Sequence, residues 1–319
     1  MRKKIIVLIP VYNEAENIPI ITSAIRSVME TQPYAYQLLF VNDGSSDQSL
    51  AVIREQATKY PEIKYISFSR NFGKDNAILA GFHAADGDAV ITIDADMQHP
   101  PDKIPEMIRL WEAGNDVIYN YRSAEGNEHV SNFNQFTSRL FYKIINKLSD
   151  VELENGISDF TLLDKKVVTV LSSLLEDNPF FRGLIKWVGF QQIGIPYTPN
   201  PRKSGTSKYN NKLLMKLALQ GITSFSVKPL LIAIYLGLIF SILSLLYIPY
   251  VLYSLYHHLA ISGWASTIVT IAFFGGLESM ILGILGIYLG KLFIQSKQRP
   301  NFIIKESNIT QHSWENQKE

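Results

Sequence analysis

From the start of the chain to about Tyr121, short apolar runs alternate with amphipathic segments. The runs at Ile5–Ile9, Gln37–Asn42, Ile63–Ser67, Ala89–Asp94 and Asp116–Tyr121 have the length and β-branched content of buried strands. Between them, periodic segments near Glu16–Thr31, Ser46–Tyr60, Lys74–Ala85 and Pro101–Ala113 predict helices. This alternation predicts an α/β domain with a parallel, doubly wound sheet of Rossmann type. Ligands of such sheets bind beyond the carboxyl ends of the strands. Polar residues fall at those ends: Asn13 and Glu14, Asn42 and Asp43, Asp94 and Asp96. The pattern therefore predicts a nucleotide-type site.

Beyond Tyr121 the periodicity predicts a helix over Ser131–Asp150, a strand over Phe160–Leu163 and a helix over Lys165–Leu175. Asn210–Phe225 sets Leu213, Leu214, Leu217 and Gly221 on one side, as in a helix lying at a membrane surface. Two long apolar stretches follow. Pro229–Leu255 holds no charge, and Ala265–Ile294 holds only Glu278 and Lys291. Each exceeds the roughly 20 residues that cross a bilayer. The intervening loop has no Lys or Arg, whereas Lys203, Lys208, Lys212, Lys216 and Lys228 precede it and Lys291, Lys297 and Arg299 follow. That asymmetry places both ends in the cytoplasm, with the chain in the plasma membrane. The expected organisation is a catalytic domain over 1–209, a juxtamembrane helix over 210–226, spans over 227–257 and 264–294, and a tail over 295–319. Gly275, Ser279 and Gly283 share one face of the second span, which suits packing on the first span or on another copy of the chain. Glu278 is the ionisable residue at depth.

Composition narrows the picture. The absence of cysteine excludes disulfides, thiolate metal sites and a cysteine nucleophile, and a net charge of +1 gives no electrostatic argument for nucleic acid. The apolar run Ile5–Pro10 is too short for the core of a signal peptide.

Candidate chemistry gathers at the strand ends. Asp94 and Asp96 are the carboxylate pair expected to hold a hard divalent cation, Mg²⁺ or Mn²⁺, with Gln98 as a further oxygen donor. The cation would neutralise charge on a leaving diphosphate. Asp43 ends a strand, Gly44 permits a tight turn, and Ser46 with Asp47 suits the start of the next helix. Asp43 and the segment Pro10–Glu14 suit a base and a ribose. Arg70 and Lys74 flank a glycine at a loop-to-helix junction, and Arg202 and Lys208 lie in a basic loop; both settings suit phosphate. Asp159, opening a short strand, is equally explained as a structural cap or as a functional acid.

The motifs PVYNE, VNDGSSD, RNFGK, DADMQHPPD, SDFTLLD and GTSKY, followed by two apolar stretches and KQRPNFII, resemble the polyprenyl-phosphate glycosyltransferases. Those are inverting enzymes of the GT-A type, related to dolichol-phosphate mannose synthase and similar to bactoprenol glucosyltransferases. The resemblance implies transfer of glucose or N-acetylglucosamine from a UDP-sugar to undecaprenyl phosphate. It implies that Pro10, Tyr12, Glu14 and Asp43 hold the uridine, that Asp94, Asp96 and Gln98 bind the metal, and that Asp159 is the essential acid. Arg202, Ser207 and Lys208 match the segment associated with the diphosphate and the lipid phosphate, and Arg122 and Arg139 match basic positions nearby. His99 stands where many relatives have an acid, Ile287 where many have a Glu, and Glu278 where many have a Gln. Two other readings share the nucleotide-sugar half: transfer to diacylglycerol, whose hydroxyl demands a true base, and a membrane scaffold that binds sugar nucleotide without turnover. A processive polysaccharide synthase is disfavoured, because FFRGLIKW lacks the Gln-x-x-Arg-Trp signature.

Overall fold

The computed structural model describes residues 2–122, 156–174, 176, 179–198, 223, 225–257 and 263–309. The described residues up to 198 form one compact unit together with 300–309, and those from 223 to 299 form a second.

The first unit is built on strands β1 (Lys4–Val11), β2 (Ala35–Asn42), β3 (Ile63–Phe68), β4 (Ala89–Thr92), β5 (Val117–Arg122), β6 (Ile157–Asp164), β7 (Gln192–Tyr197) and β8 (Ile304–Ser307). Between them lie α1 (Asn17–Met29), α2 (Ser49–Lys59), α3 (Lys74–Ala84), α4 (Ile104–Glu112), α5 (Lys165–Ser173) and α6 (Phe181–Trp187). All eight strands join one sheet in the order β7-β5-β6-β4-β1-β2-β3-β8. β1 is buried on both faces, which is why it reads as an unbroken apolar run. Its alternate residues Ile5, Val7 and Ile9 join a core with Ile18, Ile21 and Ile25 of α1 and Met107 of α4. On the other face, Leu8 packs so closely on α3 that a Cβ added at Gly81 would lie 2.2 Å from it.

The expected α/β sheet is present, but it is mixed rather than wholly parallel. β4, β1, β2 and β3 run parallel, as do β5 and β7. β6 is inserted antiparallel between β4 and β5. The strand expected at Phe160–Leu163 is thus β6, and β7, β8 and α6 were not foreseen. β8 comes from the segment expected to be a tail. It pairs antiparallel with β3, Phe302 stacks on Phe68 at 5.1 Å, and the Arg54 fork closes on Glu306. The helices expected over Ser131–Asp150 and Asn210–Phe225 lie outside the described residues, apart from helical Thr223 and Phe225.

The second unit holds two long helices, α7 (Lys228–Tyr256) and α8 (Trp264–Ser296). The Ser226 hydroxyl accepts the Lys228 N–H at the start of α7. In α8, Val269–Ser296 is long and apolar enough to cross a membrane, with a mean hydropathy of 1.8; α7 is apolar over Lys228–Phe240. The helices meet through Phe240, whose ring lies edge-on to Phe273 and Phe274. The Tyr288 hydroxyl donates to the Ser226 carbonyl at 2.7 Å. Among the described residues, a Cβ built at Gly275 or Gly283 meets nothing within 4 Å. Bulky aromatic contacts join the pair.

Two glycines around the β2 turn differ in a measurable way. Gly44 has φ +61°, and a Cβ there would sit 2.2 Å from the Arg70 carbonyl carbon; Gly73 has φ +100° with nothing within 4 Å. Both resist substitution through their backbone angle, but Gly44 also meets a main chain that cannot move aside. Gly44→Ala is therefore expected to destabilise the protein by about 1–3 kcal/mol more than Gly73→Ala. Denaturant unfolding of the detergent-solubilised protein checks this, and equal losses would show that the 70–71 backbone yields.

Candidate active site

The loops that leave β1 and β2 lock onto each other. Asn13 takes a left-handed conformation, φ 57°, which Asn tolerates better than most residues. From there its Oδ1 accepts the Ser46 N–H at 2.8 Å, while its own N–H donates to Ser45 Oγ at 3.0 Å. The expected cap at the start of α2 is borne by Asp47, which accepts the Ser49 N–H at 2.9 Å; Ser46 is engaged with Asn13 instead. Asp43 is buried, and its two carboxylate oxygens accept the N–H groups of Phe72 and Gly73, at 2.6 and 3.0 Å. Burial pushes its carboxyl group up, only partly offset by those hydrogen bonds. Asp43 thereby fixes the turn that launches α3 and sets the position of Lys74.

The register between β4 and β6 brings the acids together. Thr92 pairs with Thr161 in an antiparallel ladder, and continuing that register sets Asp94 opposite Asp159. Lys74 reaches both, with Nζ 2.6 Å from Asp94 Oδ1 and 2.5 Å from Asp159 Oδ2. Arg182, from the first turn of α6, closes a fork on Asp159, with Nε 2.7 Å from Oδ1 and Nη2 2.9 Å from Oδ2. Such bidentate pairs are short, directional and strong. Burial alone would raise Asp159, but Arg182 and Lys74 outweigh it and hold the carboxyl group well below the usual carboxylate range. Burial alone would lower Lys74, yet the charges of Asp159 and Asp94 keep it above its ordinary value. Asp94 is likewise held down, with Lys74 outweighing burial.

The surroundings orient this chain of charges. His99 is buried, stacks on Phe160 at 5.3 Å and meets Tyr197 edge-on. Its Nδ1 accepts the Asp94 N–H at 3.2 Å, and burial pushes its pKa down, so the ring is a neutral brace for the Asp94 loop. Asn120 is buried in β5 and donates to the Phe160 carbonyl at 3.0 Å, fixing the backbone beside Asp159. Asp75 accepts the Phe181 N–H; burial, then the nearby charge of Asp159, pushes it up to about 6.

The other expected residues fall as follows. Pro10 is buried in β1 opposite Val41, and Tyr12 just beyond it is 39 % exposed. Glu14 accepts the Asn17 side chain at 2.6 Å. Arg122 is exposed at the carboxyl end of β5, the same end of the sheet as Asp94. The Arg70 guanidinium lies over the Phe72 ring at 3.9 Å. Arg139, Arg202, Ser207 and Lys208 lie outside the described residues. Sequence reading missed Arg182, Asn120 and Asp75, although a cation inside the apolar run FFRGLI and a lone amide inside VIYNY were signals of buried polar partners.

Among the described residues no three His, Asp or Glu side chains converge as a metal-ligand set. Asp94 Oδ1 is shielded from solvent, with Lys74 Nζ 2.6 Å away. Asp96, two residues on, accepts the Gln98 N–H at 3.1 Å. One or two carboxylates completed by substrate phosphates suit a hard divalent cation, so these residues fit a cation that arrives with its diphosphate rather than one caged by protein alone.

Comparison with known proteins places the chain in a family. The model of the family "Glycosyl transferase family 2" matches residues 6–171. An uncharacterised glycosyltransferase of Bacillus subtilis, YkcC, is 41% identical over 94% of this chain and 93% of its own length. The bactoprenol glucosyl transferase of Shigella phage SfV is 39% identical over 95% of this chain and 98% of its own. Among solved structures, a mannosyltransferase from Pyrobaculum calidifontis in complex with GDP-Man and Mn²⁺ covers 93% of this chain and 84% of its own, at 15% identity and a TM-score of 0.49. The family model spans the strand ends that carry Asp43, Asp94 and Asp159, and the two sequence relatives match nearly end to end: the chain belongs to glycosyl transferase family 2.

Proposed function

We propose that this protein transfers a hexose from a UDP-sugar to a polyprenyl phosphate, undecaprenyl phosphate in a bacterial membrane, with inversion at the anomeric carbon. The observation that carries the reading is Asp159 held ionised between Arg182 and Lys74. A carboxylate with two cations on it is a poor proton acceptor. An alcohol such as diacylglycerol must lose a proton to attack, whereas a lipid phosphate is already anionic near neutral pH. The clamped acid therefore favours the phosphate acceptor. The end-to-end likeness to a bactoprenol glucosyl transferase supports the same lipid class.

In this reading a phosphate oxygen of the lipid attacks the anomeric carbon while the bond to the UDP oxygen breaks, and UDP leaves with its electron pair. Asp43 and the Pro10–Glu14 segment lie where the uridine would bind. Lys74, fixed by the turn that Asp43 holds, contacts the leaving diphosphate, and Arg122, Arg202, Ser207 and Lys208 gather the phosphates. A divalent cation held by Asp94, Asp96 and Gln98 would neutralise charge on the leaving group. Asp159 orients the acceptor and stabilises positive charge developing on the sugar ring.

Chain topology supports two spans. Residues before 198 and residues 304–307 share one sheet, so they lie on one side of any membrane. The chain between them must then cross an even number of times, and if α8 crosses, α7 crosses too. Both flanks would be cytoplasmic by their Lys and Arg content.

Two experiments test these assignments. Membranes supplied with undecaprenyl phosphate, Mg²⁺ or Mn²⁺ and one labelled UDP-sugar at a time are expected to yield an acid-labile labelled lipid from one donor. Asp96→Ala should lower that yield at least about 100-fold with insertion intact, and label entering diacylglycerol instead would overturn the acceptor. Because the chain lacks cysteine, single cysteines at Gly263 and Asn308 report sidedness cleanly. Gly263→Cys should react with an impermeant maleimide from outside and Asn308→Cys only after permeabilisation. Labelling of both from one side would refute the two spans.

A further inference from the structure

The proposed reaction sets an electrostatic problem at Asp159. An ionised carboxylate must sit beside an acceptor that is itself an anion, and like charges at close range repel strongly where water is scarce. The structure holds a group suited to remove that repulsion, outside every motif singled out in the sequence. Arg182 meets both oxygens of Asp159, whose side chain is only 10% exposed. An ionised carboxylate offers about four lone-pair directions; Arg182 fills two and Lys74 a third. Its described partners thus lock the carboxylate in rotation and offset its charge.

Arg182 is not what holds α6 in place by itself. Phe181 packs edge-on against Phe82 of α3 at 5.3 Å, Asp75 accepts the Phe181 N–H, and Leu184 and Ile185 are buried. The helix therefore has anchors besides the fork of Arg182 on the acid. Lys74 cannot do this alone, because it is shared with Asp94 and, in the proposed reaction, is drawn to the donor's diphosphate.

We propose that Arg182 is a positioning residue for sugar transfer: its fork fixes Asp159 and cancels its charge, so that the acceptor's phosphate can lie against it. The inference rests on the phosphate-acceptor reading above.

The test compares wild type with Arg182→Gln, Arg182→Lys, Asp159→Asn and the double variant Arg182→Gln/Asp159→Asn. It measures the affinity of a short, soluble polyprenyl phosphate by calorimetry on the full chain in detergent, and kcat and acceptor KM in the transfer assay. Arg182→Gln should weaken binding of the polyprenyl phosphate about tenfold or more, with the KM for the UDP-sugar unchanged, when measured well below the melting temperature, which the uncompensated Asp159 lowers. Arg182→Lys should recover part of the affinity. In the double variant the uncompensated charge is gone, so affinity should return toward wild type while kcat stays at the level of Asp159→Asn. A merely structural role would not give that rescue. Unchanged affinity in Arg182→Gln, or a double variant that binds worse than either single one, overturns the inference even if transfer occurs. Should wild type transfer no sugar while Arg182→Gln still loses affinity and the double variant regains it, the reaction reading fails and the role of Arg182 stands.

Discussion

Two acids facing each other across an antiparallel ladder, with little water between them, are tolerable only if cations are built in beside them. Asp94 and Asp159 are brought opposite by the register of β4 and β6, and Lys74 and Arg182 are the built-in cations. Removing one partner of a buried ion pair leaves an uncompensated charge, which costs far more than the pair contributes. The four residues are therefore interdependent, and they come from four places: the start of α3, the end of β4, the start of β6 and the first turn of α6. The site's geometry is in this sense a consequence of charge neutrality. It requires α6 to be docked where its arginine reaches β6, and it requires the turn after β3 to present its lysine.

Each requirement is met by a separate local device. The turn that presents Lys74 is held by Asp43 through two backbone N–H groups, and Gly44 lets that loop approach the Arg70 carbonyl. The loops after β1 and β2 hold one another through Asn13 and the serines of VNDGSSD. The DGSSD motif thus works first as a splice between loops, and any contact with a nucleotide rests on that frame. His99 supports the Asp94 loop by accepting its backbone N–H at Nδ1. The edge of the sheet is closed by β8, which ties the chain beyond the apolar helices back to the strand that precedes the Lys74 turn.

Much of this was legible without coordinates. Strands β1, β2 and β4 were read close to their observed ends because each is an apolar run closed by Pro or Asp, and helices α1, α2 and α4 because their buried residues recur every three or four positions. Asp43, Asp94 and Lys74 were legible as strand-end or helix-start polar residues. Asp159 was visible only as an acid at the start of a short strand, with its purpose open between a cap and a functional group. Among the described residues the two long helices meet through Phe240, Phe273, Phe274 and Tyr288, contacts that the small-residue spacing on α8 did not indicate.

The amino-acid sequence by itself determined strands β1 to β6, helices α1 to α5 and the long apolar segments, because periodicity and turn chemistry are local properties. It also determined that the catalytic strand ends carry acids and the loops carry cations. Only the tertiary structure decided which acid meets which cation. The insertion of β6 antiparallel between β4 and β5, the return of β8 to the edge, and the docking of α6 against α3 are pairings between segments far apart in the chain. No local pattern encodes them, since a strand's hydrophobicity does not specify its neighbour or its direction. The fork of Arg182 on Asp159 spans 23 residues of sequence and depends on both the placement of β6 and the docking of α6.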